Sequence, residues 1–404
     1  MPERAVIDSA SAYRSAIDTI ASGVGPIAVD AERASGFRYS QRAYLIQVFR
    51  REAGTFLFDA PAIGDFGALG DLIAPEEWVL HAASQDLACL REVGLDPREI
   101  FDTELAARLL GLPKVGLGTV VEDLLGIHLA KEHSAADWST RPLPESWLDY
   151  AALDVELLVD LRDRLADLLE EAGKSAIARQ EFLAELSKQP PAPRAEPWRR
   201  LSGIHSIKGL RSLAVARSLW YARDALAREL DIAPGRLVPD ASLTAVAKAM
   251  PASRSELAGL RSFTGRASRS ELDRWWAAVH EGQTTEDLPV MRPNGDGVPP
   301  PRAWADKNPA ADARLKAAKG ALGELSGELS IPVENLVTPE YVRRLAWSPP
   351  EPLDAASVAN ALLELGARPW QRDAVSARLA AAFVEAAQAT ASDETGASSH
   401  PSND

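Results

Sequence analysis

The run Pro26-Ile27-Ala28-Val29, feeding directly into Asp30-Ala31-Glu32, limits what this chain can become more than any other stretch. Four small or branched apolar residues read as a strand buried in a sheet, here one that ends in charge. Asp30 and Glu32 stand two apart, so on a strand both carboxylates project from one face. Anions held that close repel unless a cation lies between them, and a divalent metal is the usual answer. A D-x-E pair also ends many solvated strands. Its meaning therefore rests on the acids farther along the chain.

Two of these stand in suitable contexts. In Val79-Leu80-His81-Ala82-Ala83-Ser84-Gln85-Asp86-Leu87, an apolar strand runs into a loop of small residues, and Asp86 opens a helix continuing through Leu90 and Val93. An acid there is also favoured simply by the helix dipole. Farther on, Tyr150-Ala151-Ala152-Leu153-Asp154 lies in a long amphipathic helix expected over residues 145–171. Tyr150 and Asp154 are four apart and share one helical face, a turn from each other.

A strand acid pair, a loop-helix acid and a helical Tyr-x-x-x-Asp together resemble the three motifs of the DEDD 3′–5′ exonucleases, in their tyrosine-bearing branch. Between the second and third motifs stand Lys131 and then Asp137-Trp138-Ser139-Thr140-Arg141-Pro142-Leu143, followed by Tyr150-Ala151-Ala152-Leu153-Asp154-Val155. That order is similar to the ribonuclease D family in particular. The resemblance is close over roughly residues 1–290 and looser beyond. It implies a ribonuclease H-like α/β domain with a mixed sheet and flanking helices.

Composition sets other limits. A chain of 404 residues has room for two or three domains. A single cysteine, Cys89, can make no intramolecular disulfide and suits a reducing compartment. No apolar stretch approaches a membrane span, and Met1-Pro2-Glu3-Arg4 carries no secretory signal, so a cytoplasmic protein is expected. A net charge of −14 runs against the simplest expectation for a nucleic-acid enzyme. The charge is uneven, however. Residues 1–189 hold 18 Lys and Arg against 32 Asp and Glu, whereas residues 190–290 hold 15 against 11. The middle segment is the basic one and suits a module that holds phosphates.

Along the chain, strands are expected at residues 27–30, 44–49 and 55–59 as an antiparallel meander. Strands near 79–81 and 100–101 then alternate with helices. The exonuclease domain is assigned to residues 1–187 and a proline-rich linker to 188–204. Residues 205–285 read as all helix, and Leu219-Trp220-x-x-Arg223-Asp224 and Pro239-Asp240 resemble the HRDC module, a compact helical bundle. A second linker covers 286–309. A second HRDC-like helical bundle is assigned to 310–387, and a disordered tail of Ser, Thr, Ala and Asp to 388–404.

Hard divalent cations want oxygen ligands, which suits four carboxylates with no His/Cys cluster. The resemblance assigns Asp30, Glu32, Asp86 and Asp154 to two Mg²⁺ or Mn²⁺ ions. Asp30 would bridge both, and Tyr150 would orient the attacking water. His81, Lys131, Trp138 and Arg141 are candidates for substrate contact, by phosphate neutralisation or base stacking; Arg141 could equally be a structural anchor. The implied function is hydrolysis of RNA from its 3′ end to nucleoside 5′-monophosphates, with tRNA precursors as substrate. Open alternatives are a DNA exonuclease with the same chemistry, a non-catalytic RNA-binding protein, and helical modules that bind protein. Cutting at the 190–193 linker is expected to leave a folded nuclease.

Overall fold

A computed structural model describes residues 5–129, 136–190, 192–291 and 298–397. Its centre is a six-stranded mixed sheet in the order β1-β4-β3-β2-β5-β6. The strands are β1 (Val6–Ile7), β2 (Val24–Arg33), β3 (Ala43–Arg51), β4 (Gly54–Asp59), β5 (Glu77–Leu80) and β6 (Glu99–Asp102). β2, β3 and β4 form the expected antiparallel meander. β5 joins β2 in parallel, and β6 joins β5. β1, too short to show as a pattern in sequence, pairs in parallel with β4.

Alternation sorts the side chains of the central strands into two layers. Ile46, Val48, Phe56 and Phe58 belong to the large core on one face. Leu45 and Leu57 belong to a smaller core on the other, with Trp138, Leu148, Ala151 and Ala152. The helix Glu145–Glu156 supplies Leu148, Ala151 and Ala152 to this smaller core and packs across β2, β3 and β4. The long helix read from sequence is two, interrupted at Leu157 and resuming as Leu158–Glu171. The second half buries Leu158, Leu161 and Leu165 in the large core, so the break lets one amphipathic run serve both layers.

Two helical bundles complete the chain. The first is built on Leu210–Leu230 and Leu272–Thr284, with short helices between, and has its own core around Leu219, Val246 and Trp275. Part of the expected first linker belongs to it, because Trp198 and Leu201 are buried in that core. The second bundle is built on Pro309–Leu329 and Pro369–Ala397. Trp304, placed in the second linker by sequence, is fully buried within it. In both places a tryptophan large enough to be worth burying overrides the proline-rich surroundings. The last helix runs on to Ala397, where sequence reading puts an irregular tail; Glu385, Ala386, Ala387, Gln388 and Ala389 are good helix formers. Among the described residues, no helix is long and apolar enough to cross a membrane.

Candidate active site

The acids converge where β2 meets the helix Glu145–Glu156. Asp30, Glu32 and Asp154 each bring a carboxylate oxygen within 4.8 Å of the others. Asp30 lies opposite Gln47 of β3 in the ladder. Cross-strand partners share a face, and Gln47 is wholly buried with both amide atoms unpartnered among the described residues. Tyr150, one turn before Asp154, donates its phenolic hydrogen to that carboxylate. Asp86 stands outside the close trio and hydrogen-bonds Asp30.

Asp86 reaches the site because its loop is clamped. It sits between a 3₁₀ turn, Ala83–Gln85, and the helix Leu87–Arg91, and its side chain caps neither. The turn begins at Ala82, which has a left-handed φ of 61°, a strained value for a residue with a Cβ. Asp102, at the end of β6, accepts from the backbone N–H of Ala82 and Ala83 at 3.1 and 2.9 Å. The same carboxylate caps the next helix through Glu104 and Leu105. Asp102 thus fixes the loop that presents Asp86. Sequence reading passes it over, although Asp102-Thr103-Glu104-Leu105 carries the signature of a helix cap.

Four carboxyls crowded in a half-buried cleft cannot all stay charged without a cation. Burial first, then repulsion from Asp30, Asp154 and Asp86, pushes Glu32 up to about 10. Burial and Asp30 push Asp154 up to about 8. Asp30 and Asp86 are raised as well, burial being the chief cause for each. Tyr150 is raised by burial and by the neighbouring acids, so its phenol keeps its proton. The donor set is all oxygen, convergent and mutually repelling. It fits a divalent cation.

The acids line a cleft of about 620 Å³ together with Arg33, Ser35, His81 and Gln85. His81 is held at its Nδ1 by the Thr103 hydroxyl at 2.9 Å. Burial lowers it to about 4, so at neutral pH the ring carries no charge to offer a phosphate. Lys131 lies outside the described residues. Trp138 is fully buried and tilted against Trp147 with ring centres 5.2 Å apart, so it packs in the core with no face open to the cleft. Arg141 is anchored within the domain. It binds both carboxylate oxygens of Asp59 and donates to the carbonyls of Tyr44 and Trp138, each at 2.8 Å. A poorly solvated Asp59 demands such a partner, and sequence cannot show a carboxylate 82 residues away.

The arrangement has relatives. A family model for 3′–5′ exonucleases matches residues 5–170, and one for the HRDC domain matches residues 212–279. A third, for the C-terminal domain of 3′ to 5′ exonucleases, matches residues 297–383, where the sequence suggests a second HRDC module. Ribonuclease D of Zymomonas mobilis is 33% identical over 274 residues, 65% of this chain and 69% of the relative. The chain belongs to the ribonuclease D family. Its exonuclease domain makes it a 3′–5′ exoribonuclease of that kind. Ribonuclease D of Escherichia coli is 29% identical over 79% of this chain and 84% of its own. The crystal structure of the E. coli enzyme superposes with a TM-score of 0.67, covering 89% of this chain and 98% of that one. A protein from Bifidobacterium adolescentis, 36% identical, superposes with a TM-score of 0.86 over 94% of this chain and 96% of its own.

Proposed function

We propose that the enzyme trims RNA 3′ ends hydrolytically, releasing nucleoside 5′-monophosphates, with tRNA precursors as its substrates. The observation that carries this reading is the convergence of Asp30, Glu32 and Asp154 with Asp86 one hydrogen bond away. These four would hold divalent ions, two Mg²⁺ or Mn²⁺ in the proposal. Such ions, when bound, lower the pKa of water and offset charge on the attacking and leaving oxygens.

The chain's own groups do the rest. Tyr150 keeps its proton and spends it on Asp154, so its phenolic oxygen orients the attacking water by accepting a hydrogen bond from it and is not its base. Asp154 accepts from Tyr150 and fixes the phenol's direction. Asp102 holds the Asp86 loop so that the fourth carboxylate is in place before substrate arrives. The structured RNA substrate finds support in the E. coli relative, described as an exoribonuclease involved in structured RNA processing.

Degradation of 3′-labelled RNA and DNA, compared side by side with Mg²⁺, Mn²⁺ and chelator, tests the reading. Asp30→Asn keeps the shape and removes the charge, so hydrolysis should fall more than about a hundredfold with circular dichroism unchanged. Near-normal turnover in that variant would remove Asp30 from the chemistry. Equal or faster degradation of DNA would replace RNA as the substrate class.

A further inference from the structure

Arg33 comes directly after Glu32 and is the last residue of β2. On an unbroken strand it would point away from the face that carries Asp30 and Glu32. The β2–β3 register is irregular between Glu32 and Arg33, and such bulges re-aim side chains beside active sites. Arg33 accordingly lines the same cleft as the acids. Its Nη2 stands 3.9 Å from Asp86 Oδ1. That separation exceeds a hydrogen bond, so the attraction is electrostatic and commits none of the guanidinium's donors to Asp86. The side chain is one quarter exposed, 25%, and open to a molecule entering the cleft. Of the described residues that line the cleft, Arg33 alone is a lysine or arginine.

We propose that Arg33 is the phosphate-binding residue of this cleft, its guanidinium holding the non-bridging oxygens of the phosphodiester that joins the substrate's last two nucleotides. The proposal rests on the hydrolytic reading above and adds to it a residue that touches substrate. The charges argue for it. Two divalent ions would neutralise four carboxylates and leave the incoming phosphodiester, with its own negative charge, uncompensated. One further cation is needed, and Arg33 stands where the phosphate must lie. A guanidinium presents donors in a planar fork that meets two phosphate oxygens at once, which a lysine cannot do. The competing account makes Arg33 only a brace that holds Asp86.

Calorimetric binding of adenosine 5′-monophosphate and of adenosine, in the presence of Mn²⁺, separates the two. Wild type should prefer the monophosphate. In Arg33→Gln its affinity should fall about tenfold or more, near 1.4 kcal/mol, while adenosine binds as before. Arg33→Lys should recover part of the loss, since the charge remains and the fork does not. Mn²⁺ binding without nucleotide, followed by electron paramagnetic resonance, should be unchanged or tighter in Arg33→Gln. A monophosphate affinity within about twofold of wild type, an equal loss for adenosine, weakened Mn²⁺ binding, or a wild type indifferent to the phosphate would each overturn the proposal. A wild type that distinguishes the monophosphate yet degrades no RNA would overturn the hydrolytic reading and leave Arg33 as a phosphate-binding residue.

Discussion

The two helical bundles meet the exonuclease domain through the same kind of corner, yet only one of them shares its core with that domain. Each is built on a 21-residue helix that ends on a left-handed residue, Asp231 at φ 48° or Ser330 at φ 51°. Each corner continues through an isoleucine to a one-turn helix ending in Leu-Val, Leu237-Val238 or Leu336-Val337. At the first corner the contacts are polar. The Asp231 carboxylate accepts from Ser40 N at 2.8 Å and from the Tyr44 hydroxyl at 3.3 Å. Ala233 N donates to the Phe37 carbonyl, and Arg236 lies over the Phe37 ring at 3.8 Å while donating to the Gly36 carbonyl. Apart from Tyr44 on β3, these partners lie on the connection between β2 and β3, just past Asp30 and Glu32. At the second corner the backbones themselves close up. A Cβ on Gly111, whose φ is 75°, would stand 2.5 Å from the Ser330 carbonyl oxygen, and Lys174 donates to that oxygen at 3.2 Å. Beyond it, Glu181, almost wholly buried, is held by Arg368 and by the Trp370 indole.

The cores differ in the same sense. The first bundle keeps its own, with Tyr39 as a partly buried visitor from the exonuclease domain. The second has no separate core: Trp304, Leu322, Leu336 and Phe383 continue the apolar interior that holds Val79, Phe101 and Phe182. A polar corner on a separate core is a releasable joint, whereas a shared core makes one folding unit.

That distinction is most easily broken by removing each bundle in turn, where the largest effect is expected. A chain ending at residue 290 should lose cooperative unfolding and aggregate, because it uncovers apolar side chains worth about 25 cal/mol per Å² of buried surface. A chain lacking residues 194–290, rejoined through a flexible linker, should keep a sharp thermal transition close to the parent's. The sequence-based expectation that a cut at 190–193 leaves a folded nuclease fails on this argument, since such a cut removes both bundles. If the chain ending at 290 melts as well as the one lacking 194–290, the shared core is not a single folding unit.

How much could be read from sequence depends on how local each feature is. Asp30 and Glu32 show because a strand has period two, and Tyr150 with Asp154 because a helix brings positions four apart together. The meander shows because Gly54 and its charged neighbours punctuate two apolar runs. Arg33 does not show, because strict alternation assigns it to the wrong face and the irregularity that turns it leaves no mark in the residue types. Trp138 and Arg141 stay ambiguous in sequence because aromatic and cationic side chains near motifs suit substrate as well as core; their partners within the domain, Trp147, Tyr44 and Asp59, come together only through tertiary packing. The linkers mislead in the same way, since proline marks a break in helix and says nothing of whether the tryptophan beside it is buried.

Divalent ions should sharpen the contrast by an intermediate effect. Glu32 at about 10 and Asp154 at about 8 bind protons more tightly folded than unfolded. The stability they contribute is therefore complete below about pH 4 and is lost as pH rises through those two values. A divalent ion displaces the protons and cancels the loss. The rise in melting temperature on adding excess Mg²⁺ should accordingly be small near about pH 6 and larger near about pH 9. The transition that responds should be that of the sheet and the second bundle together, and the first bundle should melt at the same temperature with or without Mg²⁺. A Mg²⁺ effect equal at both pH values would show that the acids are not burdened as their burial implies. A first bundle that shifts in step would show that it is not a separate unit.

The smallest effect expected is at the polar corner itself. Asp231→Asn keeps a residue that tolerates the left-handed conformation and keeps one acceptor for Ser40 N, but it removes the negative charge that Arg42 approaches at 3.9 Å. The carboxyl is held below its usual range: against a burial effect that raises it, the hydrogen bonds from Ser40 and Tyr44 and the charge of Arg42 lower it. The side chain is one third exposed, so solvent screening keeps the loss to about 1 kcal/mol or less. Global melting should hardly move. The joint itself should move, and limited proteolysis across residues 188–197 together with small-angle scattering would report its opening. Because the corner is tied to the connection that leaves the strand carrying Asp30 and Glu32, a loosened joint should also slow degradation of structured RNA more than that of a short single strand. A variant that opens the joint without that difference would make the first bundle a passenger. One that lowers global stability by several kcal/mol would mean that both corners belong to one core, and the contrast between the bundles would fall.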